Sequence, residues 1–166
     1  MKPLLRLCFF AASLALGQAV LAQSPAVTSK LSAQHVEMVE GKAVLKPATQ
    51  SKPGEVIEYS GTYRNAGTAA VNQLQATVPV PVGTTLMAAS AHPAQAQAST
   101  DGTRFAPMPL TRMVRQPDGS ERKESVPLAE YRALRWEIGT LAAGSSTVVS
   151  LRVRIDSPVA ISSAKP

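Results

Sequence analysis

Cysteine is nearly absent from this chain. The only one, Cys8, lies inside an apolar stretch close to the start. A domain built from the rest of the sequence has no disulfide framework, no thiolate zinc site, no redox CxxC pair and no cysteine nucleophile. Histidine is almost as scarce. His35 and His92 are far apart and neither has an H-x-H or H-x-x-x-H partner, so a metal site would have to rest on carboxylates. Aspartate occurs only at 101, 118 and 156, which leaves no Asp/Asn-dense loop for calcium. There is no G-x-S-x-G elbow for a serine nucleophile, and Ser145-Ser146 reads as a turn entering a strand. Glu55, Glu58, Glu137 and Asp156 are the acids that could pair for acid–base work. Glu58 and Glu137, however, fall on polar strand faces, where single carboxylates are ordinary. A Lys–Asn isopeptide bond would need a buried lysine beside Asn65 or Asn72, and every lysine sits in a turn, tail or polar context. The sequence therefore assigns no catalytic residue, no metal ligand and no cofactor, and the expectation is a protein that is not an enzyme.

The charge is mildly basic, formally +6, and it is spread along the chain. Nucleic-acid binding needs a concentrated basic face, usually with aromatics on which bases stack. The few aromatics here sit in strand patterns instead, so no nucleic-acid partner is expected.

What is present begins with an export pattern. Met-Lys-Pro-Leu-Leu-Arg precedes the apolar run LCFFAASLALGQAVLA, and Val20-Leu21-Ala22 supplies short residues at the positions a signal peptidase reads. A positive start, an apolar centre and an A-x-A-like end make a secretory signal peptide, assigned to residues 1–22. Cleavage after Ala22 would remove the only cysteine and leave no transmembrane segment. The expected location is the periplasm, or the cell surface and beyond. Residues 23–34 are small and polar and are expected to form a flexible leader.

From His35 onward the sequence alternates like an antiparallel sheet. Glu40-Gly41-Lys42 is either a tight turn between two short extended pieces or a bulge in one edge strand. Ile57, Tyr59, Gly61 and Tyr63 share one face of the clearest strand. Gly61 marks close approach of another group, expected to be the ring of Trp136. Leu74, Ala76, Val78 and Val80 form the next apolar face, with Pro79 and Pro81 opposite, so that this end should be an edge or a strand exit. Asp101-Gly102 is a hairpin signal. A second hairpin spans 110–128 around Gln116-Pro117-Asp118-Gly119-Ser120. Arg112, Arg115, Arg122 and Lys123 make this ribbon the candidate contact surface for a partner. Its charges equally suit a solvated edge that resists aggregation. Leu134, Trp136 and Ile138, then Val149, Leu151, Val153 and Ile155, form the last two strands. Trp136, Tyr131 and Phe105 are the aromatics a glycan could use, and Trp136 is expected to be buried.

The segments KPGEVIEYSGTYRNAGTAAV, PVGTTL and RWEIGTLAAGSSTVVSLRVRI resemble the bacterial domain of unknown function 11 (DUF11) repeat. That family has a PGD-type turn, a Tyr/Thr strand, N-x-G and P-x-G-T turns, and a W-x-I-G-x-L-x-x-G closing pair. Asp101-Gly102-Thr103-Arg104-Phe105 also resembles a D-G-x-x-F segment of its single-domain exported members. The chain departs from the family in holding one copy, in placing Thr77-Val78-Pro79-Val80 where an acidic residue usually stands, and in adding the 110–128 hairpin. The resemblance implies an immunoglobulin-like antiparallel β-sandwich of about seven strands, and the chain is expected to form it over residues 35–156, with the charged hairpin as an addition and a tail at 157–166. It implies an exported, often cell-surface or envelope protein without catalytic residues, and the expected role is a non-enzymatic protein-interaction or structural module, with an envelope protein or a second copy as partner. The alternative is a glycan- or small-ligand-binding accessory domain, or a hydrolase on the same scaffold.

Overall fold

A computed structural model describes residues 26–157. The signal-peptide assignment at 1–22, and the tail beyond Ser157, lie outside them. The fold is an antiparallel β-sandwich. Its first sheet holds five strands in the order β2 (Lys42–Pro47), β1 (Val27–Val39), β3 (Val56–Asn65), β11 (Ser146–Ile155) and β5 (Thr84–Leu86). The second holds four, in the order β4 (Val71–Pro79), β10 (Ala133–Leu141), β6 (Gln97–Ser99) and β7 (Ala106–Pro107). A separate hairpin joins β8 (Thr111–Arg115) to β9 (Glu121–Ser125), and one 3-10 turn covers Leu128–Glu130.

The core forms because each long strand turns one apolar row inward. Ile57, Val149, Leu151 and Val153 come from the first sheet; Ala76, Val78, Leu134, Trp136 and Ala98 come from the second, and all are buried. Burying each of the larger side chains contributes about 1.5–3 kcal/mol. As the proline pattern requires, β4 is an edge strand. Its register against β10 shifts twice, and Gln73 takes a positive φ of 55° at one shift. Two irregularities bend the pair without changing which face is buried.

Two expectations are corrected. Residues 27–34 are not a flexible leader. They form the first two-thirds of β1 and pair with β3 from Val27↔Asn65 to His35↔Ile57. Ser29 and Ala33 stand opposite Tyr63 and Tyr59 across the ladder, and both are exposed. A weakly apolar segment is held there by backbone hydrogen bonds along the edge of β3. The two sheets hold nine strands, and the charged hairpin stands apart from both. Nor does Trp136 cover Gly61. A methyl group at Gly61 would lie 3.1 Å from the Tyr63 ring, 3.2 Å from Val78 and 3.6 Å from Val149. The Trp136 indole N–H instead donates to the Pro93 carbonyl at 2.7 Å, tying down the loop that crosses the open side of the sandwich.

Asn65 is wholly buried at a corner between the sheets. Its amide donates to the carbonyls of Ala69 and Leu141, and its oxygen accepts the N–H of Gly67. The Asn-Ala-Gly break after β3 is thereby fastened to the end of β10.

Candidate functional site

The four basic residues singled out from the sequence sit on the β8–β9 hairpin, but they do not form one patch. Pairing is Arg112↔Glu124, Met113↔Lys123, Val114↔Arg122 and Arg115↔Glu121. Opposed residues share a face and neighbours along a strand do not. Arg112 and Arg122 therefore point to one side, Arg115 and Lys123 to the other. The first two are also engaged. Arg112 donates to Glu130 at 2.7 Å, and Arg122 donates to Glu124 at 2.6 Å. At the hairpin tip the Ser120 hydroxyl and then the Ser120 N–H hold the Asp118 carboxyl below the usual carboxylate range. The hairpin root is tied to the body, with the Leu110 N–H donating to the Tyr131 hydroxyl at 2.8 Å. Arg122, Glu124 and Asp118 thus hold the ribbon's own shape, and Arg112 ties it to the body.

The other residues with chemical potential are dispersed. Glu58 accepts from Arg152, Glu137 from Gln97 and Asp156 from Thr85. Glu55 accepts the N–H of Lys52. Among the described residues no three His, Cys, Asp or Glu come together in a way that could hold a metal ion. Asp101 is held far below the ordinary carboxylate range, chiefly by the backbone N–H groups of Arg104 and Thr103, then by the Arg104 guanidinium and the Ser99 hydroxyl. This network shapes the turn between β6 and β7, where the Asp-Gly signal predicted a hairpin. Of the three aromatics a glycan could use, Trp136 and Tyr131 are buried as core, and Phe105 lies under Arg135, whose guanidinium is 4.2 Å from the ring centre.

A different surface stands out, on a segment whose pattern carries no site signal of its own. Beyond His35 no strand pairs with β1 on its β3 side, and β2 pairs only with β1. Residues 36–47 therefore project past the sandwich as a two-stranded ribbon. Its tight turn is the one expected at Glu40-Gly41, where positive φ values of 51° and 77° give the turn that matches the twist of a hairpin. At the root His35 directs Nε2 at the Gln50 carbonyl, 2.6 Å away, which fixes the following loop against β1.

The two faces of this ribbon differ. Pairing is Gln34↔Pro47, Val36↔Leu45 and Met38↔Ala43, so one face carries Val36, Met38, Ala43, Leu45 and Pro47 without a charge among them. Met38 is 68 % exposed and Leu45 39 %. The opposite face mixes Val39 and Val44 with Lys42, Glu37 and Lys46, the last two forming an ion pair. Solvent-facing strands ordinarily alternate, and a ribbon of two strands is marginal in water on its own. The uncharged row on this element is the candidate contact surface.

No helix among the described residues is long and apolar enough to cross a membrane. No family model, curated protein or solved structure matches the chain.

Proposed function

We propose that this chain is an exported, non-enzymatic interaction module of the cell envelope, and that it holds a partner protein through the projecting β1–β2 ribbon. The observation that carries this reading is the apolar face of Val36, Met38, Ala43, Leu45 and Pro47, presented to solvent on an element that the sandwich does not need for its own core. Export rests on the signal-peptide pattern of residues 1–22. The absence of enzymatic activity rests on the dispersal of the acidic and histidine side chains. The strand-and-turn resemblance to the bacterial repeat family, with its immunoglobulin-like sandwich, supports the same class of role.

The size of the ribbon bears on what binds it. Four residues per strand at about 3.4 Å each, over two strands, give a face of roughly 14 Å by 10 Å. Stable interfaces bury about 800 Å² on each partner. Two such faces stacked on each other fall well short, so a dimer through this surface alone is disfavoured. A groove on another protein that encloses both faces and the edges of the ribbon is large enough. That groove is apolar along one wall, and the other offers an acidic group to Lys42.

The test is photo-crosslinking in the native cells from a reactive residue at position 38, with mass spectrometry of the trapped product. The expected outcome is one reproducible envelope protein. Capture is lost with Leu45→Lys and kept with Arg115→Glu combined with Lys123→Glu. Capture indifferent to Leu45→Lys, or crosslinks only to a second copy of this chain, would overturn the proposal.

A further inference from the structure

The open side of the sandwich carries a second feature that the ribbon does not explain. Between β5 and β6 the two sheets part, and the loop 87–96 closes over the gap from one side and the root of the β8–β9 hairpin from the other. A cleft of about 490 Å³ remains. This is within the roughly 300–1,000 Å³ range of small-molecule sites. Its floor is made by Leu86, Tyr131 and Leu134, which are buried core residues. Its walls include Met87, Met108 and Val126.

The lining contains no Asp, Glu, Lys, Arg or His. Four other surface clefts do contain them. Arg154 and Asp156 line one, Glu58 and Arg152 a second, Asp101 and Glu130 a third, and Arg135 and Glu137 a fourth. The polar hydroxyl of Ser90 is occupied, donating to the Met87 and Arg152 carbonyls and accepting the Arg152 N–H. The Tyr131 hydroxyl accepts the Leu110 N–H. Ser125 adds one hydroxyl at the rim. A charged ligand would lose hydration here and find no side chain of opposite charge. A neutral apolar one loses nothing and covers apolar surface. Two methionines on the walls add adaptability, because an unbranched thioether fills irregular gaps at low cost.

We propose that this cleft binds one neutral aliphatic chain, with the chain lying between Met87 and Met108 against the face of Tyr131. The site is independent of the β1–β2 ribbon, which is on the opposite edge of the first sheet.

Methyl-labelled methionine in the intact domain provides the readout. Met38 and Met113 are exposed outside the cleft and act as internal controls. Titration with decanol should shift the Met87 and Met108 methyl resonances saturably and leave Met38 and Met113 in place. Shortening the chain to octanol should weaken binding by roughly fourfold per methylene removed. Ala94→Phe narrows the cleft from an exposed wall position and should weaken decanol binding tenfold or more, with the urea midpoint unchanged. Shifts confined to Met38 or Met113, affinity insensitive to chain length, or no shift at the solubility limit of decanol would each overturn the proposal.

Discussion

Replacing Asn65 by alanine should destabilise the domain by about 3 kcal/mol, far more than its place in a turn would suggest. Three hydrogen bonds are removed, at 2.8 Å to the Ala69 carbonyl, 3.0 Å to the Leu141 carbonyl and 3.0 Å from the Gly67 N–H. The first and third involve partly buried groups that water can reach once the side chain is gone, so each costs about 1 kcal/mol. The Leu141 carbonyl is buried and stays unsatisfied, which costs about 1–3 kcal/mol. Urea unfolding followed by Trp136 fluorescence reads this directly, since Trp136 is the only tryptophan and is buried. With a slope of about 1.5 kcal/mol per molar, the midpoint should fall by about 2 M at unchanged slope. Asn65→Asp keeps the acceptor but sets a carboxylate against two carbonyls, and should be at least as damaging at neutral pH. Asn72→Ala is the control. It removes one exposed hydrogen bond from Thr140 and should cost well under 1 kcal/mol. A loss below 1 kcal/mol for Asn65→Ala, or one no larger than that of Asn72→Ala, would refute the idea that this amide fastens the corner.

Gly61→Ala should cost about 1–3 kcal/mol by overpacking, because the new methyl would sit 3.1–3.2 Å from Tyr63 and Val78; an unchanged urea midpoint would show that those side chains move aside freely. Asp101→Asn should lower stability at neutral pH by an amount that shrinks in acid. The folded carboxyl has a depressed pKa, so its stabilisation is complete above the ordinary aspartate value near 3.8 and is lost progressively as pH falls below it. Urea midpoints of the wild type and the variant should converge between neutral pH and about pH 2.5, and a constant gap would contradict the hydrogen-bonded turn.

The strands that were legible in the sequence are those whose inner rows are large and apolar. Ile57 to Tyr63, Leu74 to Val80, Leu134 to Ile138 and Val149 to Ile155 announce themselves by alternation. The start of β1 does not, because Ser29, Leu31 and Ala33, which stand opposite Tyr63, Gly61 and Tyr59, are exposed and its order comes from the neighbouring backbone. The Gly61 prediction identified a close approach correctly and its occupant wrongly, since the nearest groups are on the same strand, the adjacent strand and the facing edge strand. The charged hairpin is legible, but the side of it on which each basic residue stands depends on strand parity. Arg112 and Arg115 are an odd number of positions apart, so a strand must place them on opposite sides. The apolar ribbon face needed the register Val36↔Leu45 and Met38↔Ala43, which no single segment contains. The cleft is less legible still, because its lining comes from the 87–94 loop, the root of a hairpin and one core strand.

The arrangement around β3 has a mechanical consequence. β1 and β11 flank β3 on either side, each antiparallel to it over nine residue pairs. They therefore run parallel to each other. The chain enters the first sheet at Val27, beside Asn65, and leaves it at Ile155, beyond the Val56 end of β3. A pull on the two ends would drag β1 and β11 in opposite directions along β3. Both ladders would then be loaded in shear, with all their hydrogen bonds sharing the force, and neither could be peeled open one bond at a time. A domain wired in this way is suited to staying folded while something tugs on it.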